Sequence, residues 1–161
     1  KTHQELIILC IGTDRSTGDS LGPLVGHKLN PYILSYEKVY LLGTLEQPVH
    51  AKNLQDIINK LGYTYSDPFI IAIDASLGSF NKIGHISITK GPLKPGLGVN
   101  KKLPIIGDIS ITGIVNVGGI MEYMVLQNTR LSLVMNMAEI ISQSINRALY
   151  KFYIPSKWQK K

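Results

Sequence analysis

One cysteine in 161 residues leaves no partner for an internal disulfide. That residue, Cys10, sits in the apolar run "LIILC", where a thiol reads as buried and inert rather than reactive. A reducing, cytoplasmic setting fits this usage. No apolar run approaches the roughly 18 residues that a spanning helix needs. Residues 1–5 carry no signal-peptide pattern, and a first residue other than Met points to a trimmed chain. Close histidine pairs and cysteine ligand sets are missing, so no strong metal motif is visible and no cofactor is expected. "GTDRSTGD" is neither a P-loop nor Gly-x-Gly-x-x-Gly, which argues against nucleotide binding. Ser20 in "TGDSLG" lacks the Gly-x-Ser-x-Gly frame of a nucleophile elbow, which argues against a serine mechanism. There is no internal repeat, low-complexity segment or credible domain boundary, so residues 1–161 read as a single domain.

What is present is globular: 44% hydrophobic and 17% charged residues, enough apolar material for one sizeable core. The net charge of +6 favours anionic partners without choosing among them. Part of it is a tail in which Lys151, Lys157, Lys160 and Lys161 surround Trp158. No nucleic-acid motif accompanies the charge, so nucleic acid is not favoured as a partner.

Apolar runs at residues 6–11, 39–42 and 69–73 read as buried strands, the third ending at Asp74. A helix is predicted to start near Asp19 or Ser20, to tolerate Pro23 in its first turn and to reach about Leu29. Leu54, Ile57, Ile58 and Leu61 follow helical spacing, with Gly62 as a natural stop. Strand, helix, strand, helix, strand predicts a parallel α/β sheet. Residues 84–89, with His85 alternating with Ile86 and Ile88, and residues 109–117 suggest two further strands. Between them lies a basic Gly/Pro-rich loop, residues 90–108, long enough to suggest function, although a flexible linker is the alternative. A last helix over about residues 131–150 places Val134, Ala138, Ile141, Ile145 and Leu149 on one face, and Met135 and Met137 read as packing residues.

Open α/β sheets place their sites at the carboxyl ends of the strands. Thr13, Asp14, Arg15, Ser16 and Asp19 follow the first strand, Thr44, Glu46 and His50 the second, and Asp74 the third. Bland readings stand beside the functional ones: Asp19 as a helix N-cap, Asp14 as a turn residue, His50 as a cap for the next helix, His3 and His27 as surface residues. Asp74 directly after "FIIAI" needs a partner or a job. Two facing carboxylates do not both ionise easily, so a shared proton lets one polarise a carbonyl while the other activates water. The same pair, joined by a histidine or Glu46, could instead hold a divalent metal.

"IGTDRSTGDSLGP", "AIDASLG", "KPGLGVNKKLP" and "GDISITGIVNVGGIMEYMVLQNTRLSLVM" together resemble the YyaC-type sporulation proteins, a family described as spore proteases, over nearly the whole chain. That family is similar to the germination protease of spore-forming bacteria and, more distantly, to the endopeptidases that mature nickel-iron hydrogenases. The resemblance implies a three-layer α/β/α sandwich, phosphorylase/hydrolase-like, with a mostly parallel central sheet. It also implies an aspartic-type endopeptidase in which Asp19, in "GDSLGP", and Asp74, in "AIDAS", are the catalytic pair. Thr13, Asp14, Arg15, Ser16, Thr44, Glu46, His50 and Lys101 are then candidates for substrate binding. In the maturation enzymes the corresponding acidic pair contacts nickel with a histidine, yet no histidine here aligns with that ligand, and Gly12-Thr13 stands where they carry Gly-Asn.

The expected partner is a protein or peptide substrate, acidic spore proteins among the candidates, in the cytoplasm or forespore of a spore-forming bacterium. No membrane partner is expected, and a homo-oligomer is compatible with the sequence. The alternatives are a catalytically silent peptide-binding member of the fold, or a metal-binding maturation-type endopeptidase.

Overall fold

The computed structural model describes residues 5–95 and 103–153. In chain order the elements are β1 (Leu6–Cys10), α1 (Leu21–Ile33), β2 (Val39–Leu42), α2 (Leu54–Thr64), β3 (Phe69–Gly78), β4 (Ile86–Lys90), β5 (Ile109–Val117), α3 (Glu122–Gln127) and α4 (Leu131–Tyr153). Among the described residues five strands form one sheet in the order β2-β1-β3-β5-β4. All neighbours run parallel except the β4–β5 pair.

Alternation along β1 builds both sides of the protein at once, because successive side chains leave opposite faces of a strand. Leu6, Ile8 and Cys10 enter a core shared with Leu21, Val25 and Leu29 of α1 and Val134, Met137, Ala138 and Ile141 of α4. Ile7 and Leu9, with Ile11, enter a second core with Leu54 and Leu61 of α2 and with Leu93, Leu103 and Ile106 from the long loop. Both faces are therefore covered, which is why the early strands are continuous apolar runs. The three-layer α/β/α arrangement expected from the sequence is the observed one.

Several boundaries differ from the sequence expectations. The third strand does not stop before Asp74; it runs to Gly78, because β5 pairs with it that far. Residues 18–20 form a 3-10 turn, so α1 begins at Leu21 and continues past Leu29 to Ile33. Gly62 does not end α2, which continues to Thr64 before Tyr65 turns extended and sets its ring 4.9 Å from that of Tyr40. Gly84 (φ +88°) and His85 precede β4 rather than belonging to it. The short helix α3 has no counterpart among the predicted elements.

The sheet order turns back on itself at β1, which has β2 on one side and β3 on the other. Doubly wound sheets open a crevice at such a point. Here it opens abruptly. Cys10 pairs with Ile73, Ile11 makes one more bond to the Ile73 carbonyl (2.7 Å), and Gly12 then donates to the Val49 carbonyl (2.8 Å), away from β3. Gly12 has φ +142°, and a Cβ there would lie 2.0 Å from the Asp19 carbonyl oxygen. An L side chain is thus excluded both by the dihedral and by the space. Gly12→Ala is expected to cost about 2–4 kcal/mol in urea unfolding. Gly62→Ala, exposed in α2 with nothing within 4 Å of its added Cβ, is expected to add about 0.5–1 kcal/mol instead. Equal responses at the two glycines would show that the close approach at residue 12 is not a constraint.

Candidate functional site

The crevice widens into a cavity of about 810 Å³ at the carboxyl edge of the sheet. Its walls come from four places: the loop after β1 (Gly12, Thr13, Arg15, Ser16, Asp19), the segment before α2 (His50, Ala51, Lys52), Asp74 of β3, and Gly119 to Leu126 around α3. Pro95 and Leu103, the described ends of the long basic loop, complete it.

Asp74 is buried, and its position follows from unequal strand lengths. β1 ends opposite Ile73, so Asp74 is the first residue of β3 beyond that neighbour, while on the other side it remains paired with Thr112 of β5. One carboxylate oxygen accepts from the Ala75 backbone N–H at 2.8 Å. It is therefore part of a strand, held by the sheet, rather than a residue in a loop after it.

Asp19 arrives from the 3-10 turn. Its backbone carbonyl accepts from the Thr13 N–H (3.0 Å), which folds the loop after β1 over Gly12. The side chain caps neither the 3-10 turn nor α1, so the N-cap reading fails. Burial pushes the Asp19 carboxyl up from 3.8 to about 6, against a smaller opposing effect of the Thr13 backbone N–H. A carboxyl that keeps its proton into the mildly acidic range is suited to general-acid work.

Two other residues of the lining each carry an unusual polar atom. Ser16 Oγ and His50 Nδ1 are buried and have no hydrogen-bond partner. His50 does not cap α2 through its ring; its backbone N–H instead donates to Asn53 Oδ1 at 2.8 Å. Native proteins leave few buried polar atoms unsatisfied, and those left open often await water or ligand.

The remaining candidates divide. Arg15 reaches the cavity from an exposed position, whereas Asp14 is exposed and outside the lining. Thr13 lines the cavity and its Oγ1 accepts from the Arg15 N–H (3.3 Å), so the turn is fixed by the threonine rather than by Asp14. Thr44 closes a different turn by accepting from the Gln47 N–H (3.2 Å), and Glu46 pairs with exposed His27 at 3.2 Å. Neither lines the cavity. Lys101 lies outside the described residues. Sequence reasoning misses Lys52 and the α3 wall; the break at Gly118-Gly119 followed by Glu122 is the available signal for a new element.

The family described as "Protein of unknown function (DUF1256)" matches residues 1–144. The chain belongs to this family. It is 56% identical over 141 residues to "Uncharacterized protein YyaC" of Bacillus subtilis (strain 168), a match covering 88% of this chain and 68% of that protein. Among solved structures it is similar to the [NiFe] hydrogenase maturation protease HycI from Thermococcus kodakarensis KOD1, with TM-score 0.58, 17% identity and 90% and 92% of the two chains covered. It is likewise similar to the hydrogenase maturating endopeptidase HybD from E. coli, with TM-score 0.55, 16% identity and 92% and 93% covered. At those identities the likeness is one of fold. Among the described residues no three His, Cys, Asp or Glu side chains cluster in a way that could hold a metal ion.

The raised Asp19 value has a stability consequence. The folded protein keeps this proton up to about pH 6, whereas the unfolded chain releases it near 3.8. Between those values the folded state binds more protons, so the contribution of this group to stability falls as pH rises, and it is flat above. Asp19→Asn is expected to be more stable than the parent by about 2 kcal/mol at pH 7–8, with the difference vanishing near pH 4. Urea unfolding of both proteins across this range measures it; a pH-independent difference would show that Asp19 is not desolvated.

Proposed function

We propose that this protein is an aspartic-type endopeptidase of sporulation, with Asp19 and Asp74 as its catalytic pair. The observation that carries the reading is that two aspartates from different elements, Asp19 and Asp74, line one cavity at the topological switch point of the sheet. The protease-like fold supports it, since the two solved relatives are maturation endopeptidases. Thr13, Arg15, Ser16 and His50 line the same cavity and serve in substrate binding. Its substrate is a protein, with acidic spore proteins the first to test because the chain carries a net charge of +6. It acts in the cytoplasm of a spore-forming cell, the forespore included.

In this reading Asp19 holds the shared proton and polarises the scissile carbonyl, while Asp74 takes a proton from the attacking water. Water's oxygen joins the carbonyl carbon and the carbonyl oxygen takes the Asp19 proton. The proton received by Asp74 then passes to the departing amine nitrogen as the C–N bond breaks. A hydroxyl proton of the collapsing intermediate returns to Asp19, leaving a new carboxyl terminus and a new amino terminus.

Incubation with acidic spore proteins and mass spectrometry of the fragments tests the activity. Cleavage is expected to be insensitive to chelators and abolished by Asp19→Asn and by Asp74→Asn separately, with a loss of at least about 100-fold in each. The rate is expected to be bell-shaped in pH, with its alkaline limb near 6, where Asp19 loses its proton. Activity that instead rises with pH and is lost in chelator would replace the carboxyl pair by a metal-water mechanism. Full activity in either folded variant would eliminate the dyad.

A further inference from the structure

The wall of the cavity around α3 is largely apolar and open to solvent, with Glu122 its one carboxylate. Met121, Tyr123 and Met124 all line it and remain 62%, 63% and 49% exposed. Ile120, beside them in the chain, is 88% exposed. This is not a loosely attached segment. Asn116 of β5 donates to the Val125 carbonyl and to Thr129 Oγ1, each at 3.2 Å. Leu126 is buried, and a Cβ added to Gly18, the residue before Asp19, would meet its side chain at 2.8 Å. α3 is thus fastened directly to the turn that carries Asp19. Met121 also occupies the left-handed region, φ 58° and ψ 40°, which a bulky residue enters at a cost.

Exposed methionine and tyrosine on a fastened element form an adaptable apolar contact surface. Among the other lining residues, Ser16 and His50 each hold a buried polar atom, Oγ and Nδ1, with no partner among the described residues, while Arg15 and Lys52 are exposed. Unsatisfied buried polar atoms ask for the amide groups of a ligand, the apolar wall for a hydrocarbon side chain, and the cations for acidic flanks. A cavity of about 810 Å³ has room for one such side chain with its flanking main chain.

We propose that α3 is the specificity wall of the site: Met121, Tyr123 and Met124 select a protein segment by a bulky apolar side chain, while Ser16 and His50 hold its main chain. The proposal rests on the endopeptidase reading for the hydrolytic step, but binding itself does not require turnover. The test therefore uses the full chain carrying Asp19→Asn and fluorescent nonapeptides with glutamate flanks, differing only at a central Leu, Phe, Ser or Gln. By anisotropy the Leu and Phe probes should bind at least about tenfold tighter than Ser and Gln. Adding Met121→Asn with Tyr123→Ser should bring that ratio within about twofold of one; asparagine tolerates the left-handed backbone and residue 123 is exposed, so the fold is retained. Ser16→Ala should weaken all four probes alike, by about fivefold. Leu34→Ser, at an exposed position just past the far end of α1, should leave the ratio unchanged. No binding by any probe, a ratio near one, or a ratio that survives the α3 substitutions would overturn the proposal. Selective binding without cleavage by the parent protein would leave this wall standing and remove the hydrolytic reading. Cleavage without apolar preference would do the reverse.

Discussion

The absence of a side chain at residue 12 is the constraint on which the edge of the sheet depends. β1 must release β3 immediately after Ile11, and the chain must then fold back so that the Asp19 carbonyl lies against the Gly12 α-carbon. Only glycine combines a φ of +142° with room for that oxygen. From this single contact come the direction of the loop, the hydrogen bond from Thr13 to Asp19, and the burial of the Asp19 carboxyl. The length of β3 supplies the other half. Because β5 carries β3 on to Gly78 after β1 has left, Asp74 is fixed by sheet pairing on one side and opens on the crevice on the other. One carboxyl is placed by a tight turn and its counterpart by a strand. Rigid elements of this kind hold a site more accurately than two loops would.

The strands and the long helix are legible because their apolar residues repeat with periods that only one element type satisfies. The runs at residues 39–42 and 109–117 have the observed strand bounds, and Val134, Ala138, Ile141, Ile145 and Leu149 are all buried as their spacing requires. Asp19 and Asp74 stand out by their place after apolar strands, and both do line the cavity. Anything set by a neighbour distant in sequence is hidden from such a reading. Asp74 belongs to a strand only because β5 pairs beyond it. Thr44 and Glu46 follow β2 in the chain just as His50 does, but Thr44 is used in closing a turn and Glu46 pairs with His27, so neither lines the cavity. α3 escapes because six residues are too few for a period to emerge and because half of its apolar surface faces solvent.

Burial and net charge act in opposite directions on Asp19. A net charge of +6 should by itself favour ionised carboxylates, yet Asp19 is shifted upward. Burial wins because it acts at the carboxyl itself, whereas charges on the exposed surface are screened over about 8 Å at physiological ionic strength. Arg15 and Lys52 line the cavity from exposed positions, where solvent screens them from the carboxyl within. Desolvation, rather than net positive charge, thus governs protonation at Asp19. Changing the surface charge should therefore alter salt dependence far more than the pH at which Asp19 gives up its proton.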